Sequence, residues 1–199
     1  MNTYILLLRG INVGGHKKIK MADFKNKLEK LNFKEMQTYI QSGNIVFKHT
    51  NNNQKALAKL IEAMIVKEYG FEAKAIVILA EDFRNIFKEN PYLPNKESEI
   101  EKLYCTFLFE IPEESKIELL KEVNSPHEEF IFGEACMYFL YNNGYGKAKI
   151  SNPFIENKLK VAATTRNWKT MTKLIEMISE QLPYICNNKN TKIRHDLFN

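Results

Sequence analysis

No apolar run in this chain approaches the ~18 residues that span a membrane, so no transmembrane helix is expected. The stretch 1–8 is too short for the apolar region of a signal peptide. It lacks a basic start and a small-residue cleavage site, so no secretory leader is expected. Cysteine is scarce. Cys105, Cys136 and Cys186 are odd in number, and no two stand at metal-ligand spacing. A disulfide framework and a cysteine zinc site are thereby excluded. Cys105 and Cys136 lie in apolar runs and read as buried free thiols of a reducing, cytoplasmic compartment. His16, His49, His127 and His195 are scattered, with no Cys–His or H-E-x-x-H arrangement. Glu128 and Glu129 are adjacent and face opposite sides of a strand, so they are not an acid/base pair. No metal site and no cofactor are expected.

The chain does contain enough apolar sequence for a core. It has 199 residues, 44% of them hydrophobic and 27% charged, ordinary for a globular protein and long enough to fold without staples. The formal net charge is +5. That permits an anionic partner without requiring one, and a solvated lysine-rich surface is the favoured account of it.

Patterning predicts an α+β fold of two ferredoxin-like halves with antiparallel sheets. Residues 4–8 form a continuous apolar run, hence a buried strand. Helical spacing follows over 21–31, then strands at 36–41 and 45–47 about a tight turn at Ser42-Gly43. Asn53 caps a helix that runs to Gly70, and 75–79 is the last strand. This is a β-α-β-β-α-β order. The second half repeats it: a strand at 103–109, a helix at 112–123, a hairpin of 129–132 and 136–141, and a helix at 153–159. A short strand at 161–163 and an amphipathic helix from Trp168 complete it. The expected division is 1–80 for the first half, 81–101 for a short helix and linker, and 102–182 for the second half. The stretch 183–199 is expected to be a polar, mobile tail.

Three polar segments stand where elements end. Arg9-Gly10-Ile11-Asn12-Val13-Gly14-Gly15 follows the first strand. It fits neither G-x-x-x-x-G-K-[ST] nor G-x-G-x-x-G. Its glycine pair can form an anion-binding nest, with Lys17 adding charge. The alternative is a tight turn, with Arg9 paired to a carboxylate. Gln41-Ser42-Gly43-Asn44 is a hairpin turn that can also present Asn44. The first and third strands run antiparallel, so Arg9 and Asn44 should meet. Thr164-Thr165-Arg166-Asn167 reads as a helix start capped by Thr165. An arginine there is best understood if it faces an anion, either a ligand or an internal carboxylate. Lys147 and Lys149 add a basic loop. Arg9, Asn12, Asn44 and Arg166 are expected to converge.

At these segments the chain resembles the domain-of-unknown-function family 1697, a family of bacterial proteins. The shared motifs are L-R-G-I-N-V-G-G at 8–15, Y-I-Q-S-G-N at 39–44 and A-T-T-R-N-W at 163–168. The resemblance covers residues 4–178. It implies two ferredoxin-like subdomains in one body and lends no catalytic residues, because the family has no established activity.

The leading functional expectation is a basic, glycine-rich site for an anionic, phosphate-bearing or nucleotide-like small molecule. Arg9, Asn12, Gly14, Gly15, Lys17, Gln41, Ser42, Asn44, Lys147, Lys149, Arg166 and Asn167 would form it. One alternative is weak, salt-sensitive nucleic-acid binding through the same surface. Another is an enzyme on a small anionic substrate, with Arg9 and Arg166 as electrostatic stabilisers. The last is an interaction protein whose polar motifs only join the two halves. No membrane partner is expected, and whether the chain is an enzyme stays open.

Overall fold

A computed structural model describes residues 1–93 and 97–180. The tail at 183–199, with Cys186 and His195, lies outside the described residues. In chain order the first half comprises β1 (Asn2–Leu8), α1 (Met21–Glu29), β2 (Lys34–Tyr39), β3 (Asn44–His49), α2 (Gln54–Tyr69) and β4 (Ala75–Leu79). Helix α3 (Ala80–Lys88) follows directly. The second half comprises β5 (Leu103–Leu108), α4 (Glu114–Lys121), β6 (Glu128–Phe132), β7 (Cys136–Tyr141), α5 (Asn152–Leu159) and β8 (Ala163–Asn167). Helix α6 (Trp168–Glu180) follows β8.

Each half is thus an α+β unit with the expected β-α-β-β-α-β order. The sheets are ordered β2-β3-β1-β4 and β6-β7-β5-β8, and every neighbouring pair is antiparallel. The halves repeat in register as well as in order. Leu8 stands opposite Ala75, and Leu108 stands opposite Ala163. Just beyond, the Arg9 N–H donates to the Lys74 carbonyl and the Phe109 N–H donates to the Ala162 carbonyl, at 2.9 and 3.0 Å. No residue-level repeat in the sequence reveals this correspondence.

β1 is buried on both faces, which explains its unbroken apolar run. Tyr4, Leu6 and Leu8 pack under α1 and α2, whereas Ile5 and Leu7 belong to a core shared with the other half. β7 divides likewise: Met137, Phe139 and Tyr141 face the α5 side, and Cys136 and Tyr138 face the shared core. Helices α3 and α6 touch each other between the two sheets. Trp168 of α6 stacks on Phe87 of α3 with ring centroids 4.7 Å apart, and Phe83 stacks on Phe107 of β5 at 6.0 Å.

Two local expectations need correction. The first hairpin turns through four residues, 40–43, rather than the two at Ser42-Gly43. Ile40 and Gly43 both take positive φ, 50° and 75°. The segment 163–167 is the edge strand β8, not a helix start. Consecutive β-branched threonines suit a strand, and β5 needs this partner to complete the sheet. The cap of α6 is Asn167, whose Oδ1 accepts from the Thr170 N–H at 2.9 Å; Thr165 does not cap it.

The chain has a single tryptophan, and it sits in the shared layer, 2% exposed. Trp168→Ala is expected to cost about 3–5 kcal/mol. In the wild type, tryptophan fluorescence and far-ultraviolet circular dichroism should give one coincident urea midpoint, because the shared core cannot open without both halves.

Candidate functional site at the seam between the halves

The loop after β1 is closed by its own asparagine. Asn12 adopts φ 55°, a left-handed conformation that asparagine tolerates. Its Nδ2 donates to the Ile19 carbonyl at 3.0 Å and the Gln41 carbonyl at 2.7 Å. Its Oδ1 accepts from the Ile19 N–H at 2.8 Å. One side chain therefore ties the first polar segment to the second. Gly14 and Gly15 form the exposed tip of a small turn, closed by the His16 N–H donating to the Val13 carbonyl at 3.1 Å. Lys17 reaches away to the Glu72 carbonyl, 2.7 Å.

The hairpin loop lies against the end of β1. The Leu8 N–H donates to the Gly43 carbonyl at 2.9 Å. A Cβ on Gly43 would fall 2.6 Å from Leu8 Cβ, so this contact admits only glycine. Asn44 is fully buried and stands opposite Leu7, where the antiparallel argument placed it. Its Nδ2 donates to Ser42 Oγ, 2.9 Å, and the Tyr39 carbonyl, 3.2 Å.

Arg166 crosses from β8 into this pocket. Its Nε donates to Asn44 Oδ1 at 2.5 Å. Nη1 donates to Thr164 Oγ1 at 2.7 Å and to the Thr165 carbonyl at 3.0 Å. Nη2 donates to the Leu8 carbonyl at 2.8 Å and to the Ser42 carbonyl at 3.4 Å. All five N–H groups of the guanidinium are therefore used, every acceptor is neutral, and three of the five belong to the other half. Burial pushes the guanidinium down to about 10, which leaves it charged at neutral pH.

Arg9 crosses the seam in the opposite direction. Its Nε and Nη2 donate to the two carboxylate oxygens of Glu156 on α5, at 2.6 and 2.5 Å, a bidentate fork. Glu156 Oε1 also accepts from the Ala163 N–H at 2.7 Å. Burial alone pushes Glu156 up, but the hydrogen bonds from Arg9 and Ala163 hold it below the usual carboxylate range. Sequence reading missed Glu156, whose single signal is that Arg9 needs an acceptor. It also missed Asn152. Asn152 Nδ2 donates to the Ala163 carbonyl at 3.1 Å, and its Oδ1 accepts from Thr165 Oγ1 at 2.9 Å.

The seam thus brings together Arg9, Asn12, Gln41, Ser42, Asn44 and Arg166. It does not bring in the basic loop. The Lys149 N–H donates to a Glu128 carboxylate oxygen at 2.5 Å, and its Nζ donates to the Asn124 carbonyl at 3.0 Å. Glu128 lies on β6, the sheet edge opposite β8, and Lys147 sits in the turn just before. A cleft of about 1080 Å³ lies elsewhere, along β4, α3 and the end of β5, and none of the twelve expected residues lines it. Among the described residues, no group of three or more His, Cys, Asp or Glu could hold a metal ion, and no helix is long and apolar enough to cross a membrane. Cys105 and Cys136 are free and buried. Burial pushes the Cys105 thiol well up, which makes it a poor nucleophile.

Residues 1–138 match the family described as "Protein of unknown function (DUF1697)". The chain belongs to this family. The DUF1697 match takes in the first two polar segments, while Arg166 and its strand lie beyond it. A solved structure of a conserved bacterial protein from Streptococcus pneumoniae is similar in fold, with a TM-score of 0.70 and 23% identity. The similarity covers 89% of this chain and 98% of that one. No curated protein matches the chain.

The seam of this DUF1697 chain gives two expected outcomes. Glu156 has a lowered folded pKa, so its contribution to stability is full above its unfolded value, about 4.3, and is lost as pH falls through the folded value. Urea midpoints measured from pH 7 to pH 3 should therefore drop more steeply in the wild type than in Glu156→Gln. Gly43→Ala combines positive φ with a collision against Leu8 and should cost about 1–3 kcal/mol, read from the same melts.

Proposed function

We propose that this chain is an interaction protein whose three polar segments hold its two halves in one fixed arrangement, and which takes its partner elsewhere on the surface. The observation that carries this reading is the saturation of Arg166: with all five N–H groups given to neutral protein oxygens, it has none left for a ligand. The neutralised Arg9–Glu156 fork supports it too. Buried free thiols support a reducing, cytoplasmic setting.

A second reading keeps the anionic ligand, and one observation favours it. Arg9 spends Nε and Nη2 on Glu156, no hydrogen bond from its Nη1 is found among the described residues, and its side chain is 37% exposed. A phosphate-bearing molecule there would contact one arginine rather than two, and nucleic-acid binding would rest on the same group.

The two readings separate in a urea melt with and without added inorganic phosphate or ATP. Arg166→Ala strands several buried acceptors, each worth about 1 kcal/mol or more, and should cost about 3 kcal/mol. Arg166→Lys should not restore stability, because three donors on a flexible stem cannot span five acceptors. Arg9→Ala should cost less than about 1 kcal/mol, as expected of a half-exposed pair. Wild-type stability in both Arg166 variants would overturn the proposal. A rise in midpoint with phosphate or ATP that Arg9→Ala abolishes would favour the second reading.

A further inference from the structure

The 1080 Å³ cleft is walled by both halves and exposes backbone as well as side chains. Four consecutive residues of β4, Ala75 to Ile78, line it. Consecutive strand residues point to opposite faces, so the cleft meets β4 along its edge. β4 is the outer strand of its sheet, paired only with β1. The direction of its free groups follows from the ladder. Leu8 donates toward β3 and Arg9 toward β4. Odd residues of β1 therefore bond β4, and their partners Ile76 and Ile78 face inward. Ala75 and Val77 face outward. The Ala75 N–H is taken by Glu62 Oε1 at 2.8 Å, and the N–H and C=O of Val77 are left toward the cleft.

The opposite wall repeats this. The Phe109 N–H donates toward β8, so Leu108 directs its own groups toward β7. β7 begins at Cys136, opposite Phe107; that last ladder pair sets the Leu108 N–H toward the Ala135 carbonyl, and among the described residues no backbone bond to the Leu108 carbonyl is found. Val77 and Leu108 thus present unpaired backbone groups from the two walls of one cleft. Apolar Ile76, Ile78 and Phe107 also line it.

Charge then selects the occupant. Asp82 of α3, Glu89 just past its end and Glu134 of the β6–β7 turn line the cleft, against Lys55. None of the three carboxylates makes an ion pair among the described residues. The cleft is net acidic on a chain whose formal net charge is +5. We infer that it is a groove for an extended segment of a partner protein, added along β4, with apolar side chains directed inward and lysine or arginine at alternating positions directed to the acidic rim. The inference rests on the proposal that the halves are held fixed, because the two walls come from different halves.

The test is fluorescence anisotropy of the full chain at low salt with labelled peptides of alternating Val-Lys and Val-Glu, eight residues each. The Val-Lys peptide should bind and the Val-Glu peptide should not. Non-specific attraction to a chain of net positive charge would give the reverse order, which would overturn the inference. A Val-Lys peptide N-methylated at alternate residues should bind about tenfold more weakly, having lost two backbone hydrogen bonds. Equal binding of the methylated peptide would mean capture of amines only, and would also overturn it. Neutralising Asp82, Glu89 and Glu134 together, as Asn, Gln and Gln, should weaken binding about tenfold, at about twofold or more for each exposed pair. Val77→Pro removes the outward N–H at an edge position where proline is tolerated and should also abolish binding. Self-association of the wild type, seen by sedimentation and lost in Val77→Pro, would assign the groove to a second copy and overturn the proposal. If the Arg166 variants melt like the wild type while the Val-Lys peptide binds, the fixed-halves reading fails alone. If they melt early and the wild type binds no peptide, the groove alone fails.

Discussion

A charged guanidinium lies in the seam between two halves and is held there by neutral oxygens. Arg166 has no carboxylate to offset its desolvation, so five hydrogen bonds must do so together. That requirement fixes much around it. Asn44 must be buried with Oδ1 turned toward β8, so its Nδ2 must find Ser42 and Tyr39. The 40–43 loop must close tightly enough for the Ser42 carbonyl to reach Nη2, and this needs glycine at 43 against Leu8. Asn12 then braces that loop from the far side through the Gln41 carbonyl. The three polar segments are one hydrogen-bonded unit, each meeting a demand set by the next.

Around this unit the packing is apolar and layered. α3 and α6 fill the space between the sheets, so the shared layer is built equally from both halves. The cross-seam bonds run both ways, with Arg9 reaching into the second half and Arg166 into the first. Sliding one half against the other would break both at once. The seam is therefore rigid for reasons of hydrogen-bond geometry as well as apolar area.

The fold was largely legible from the sequence because its signals are local. β1, α2 and β4 carry unbroken or periodic apolar runs with clear caps, and Asn53 and Gly70 stand where expected. That the end of β1 meets the start of β3, with Asn44 opposite Leu7, followed from strand direction alone. β8 was legible only as a short strand set too early, at 161–163, since Thr164-Thr165-Arg166-Asn167 carries little hydrophobicity and precedes a strong helix. The pairing of β5 decides it, and that is a non-local fact. Glu156 was hidden for the same reason: a glutamate on a surface-like helix gives no sign of a partner 147 positions away. Lys147 and Lys149 look like site residues only in composition, and the sheet order sets them at the other edge.

The repeated register of the halves has one consequence for how copies of this chain can pair. By position in the two ladders, Arg166 corresponds to Ile78, and Asn44 corresponds to Cys136. The cation and its acceptor thus occur on opposite members of the duplicated unit. A second half paired with its own kind would set Arg166 against a thiol, a weak acceptor, where it now has an amide. A first half paired with its own kind would bury Asn44 against isoleucine. The near-symmetry that would let like halves pair is broken at a position where such pairing would strand a buried charge.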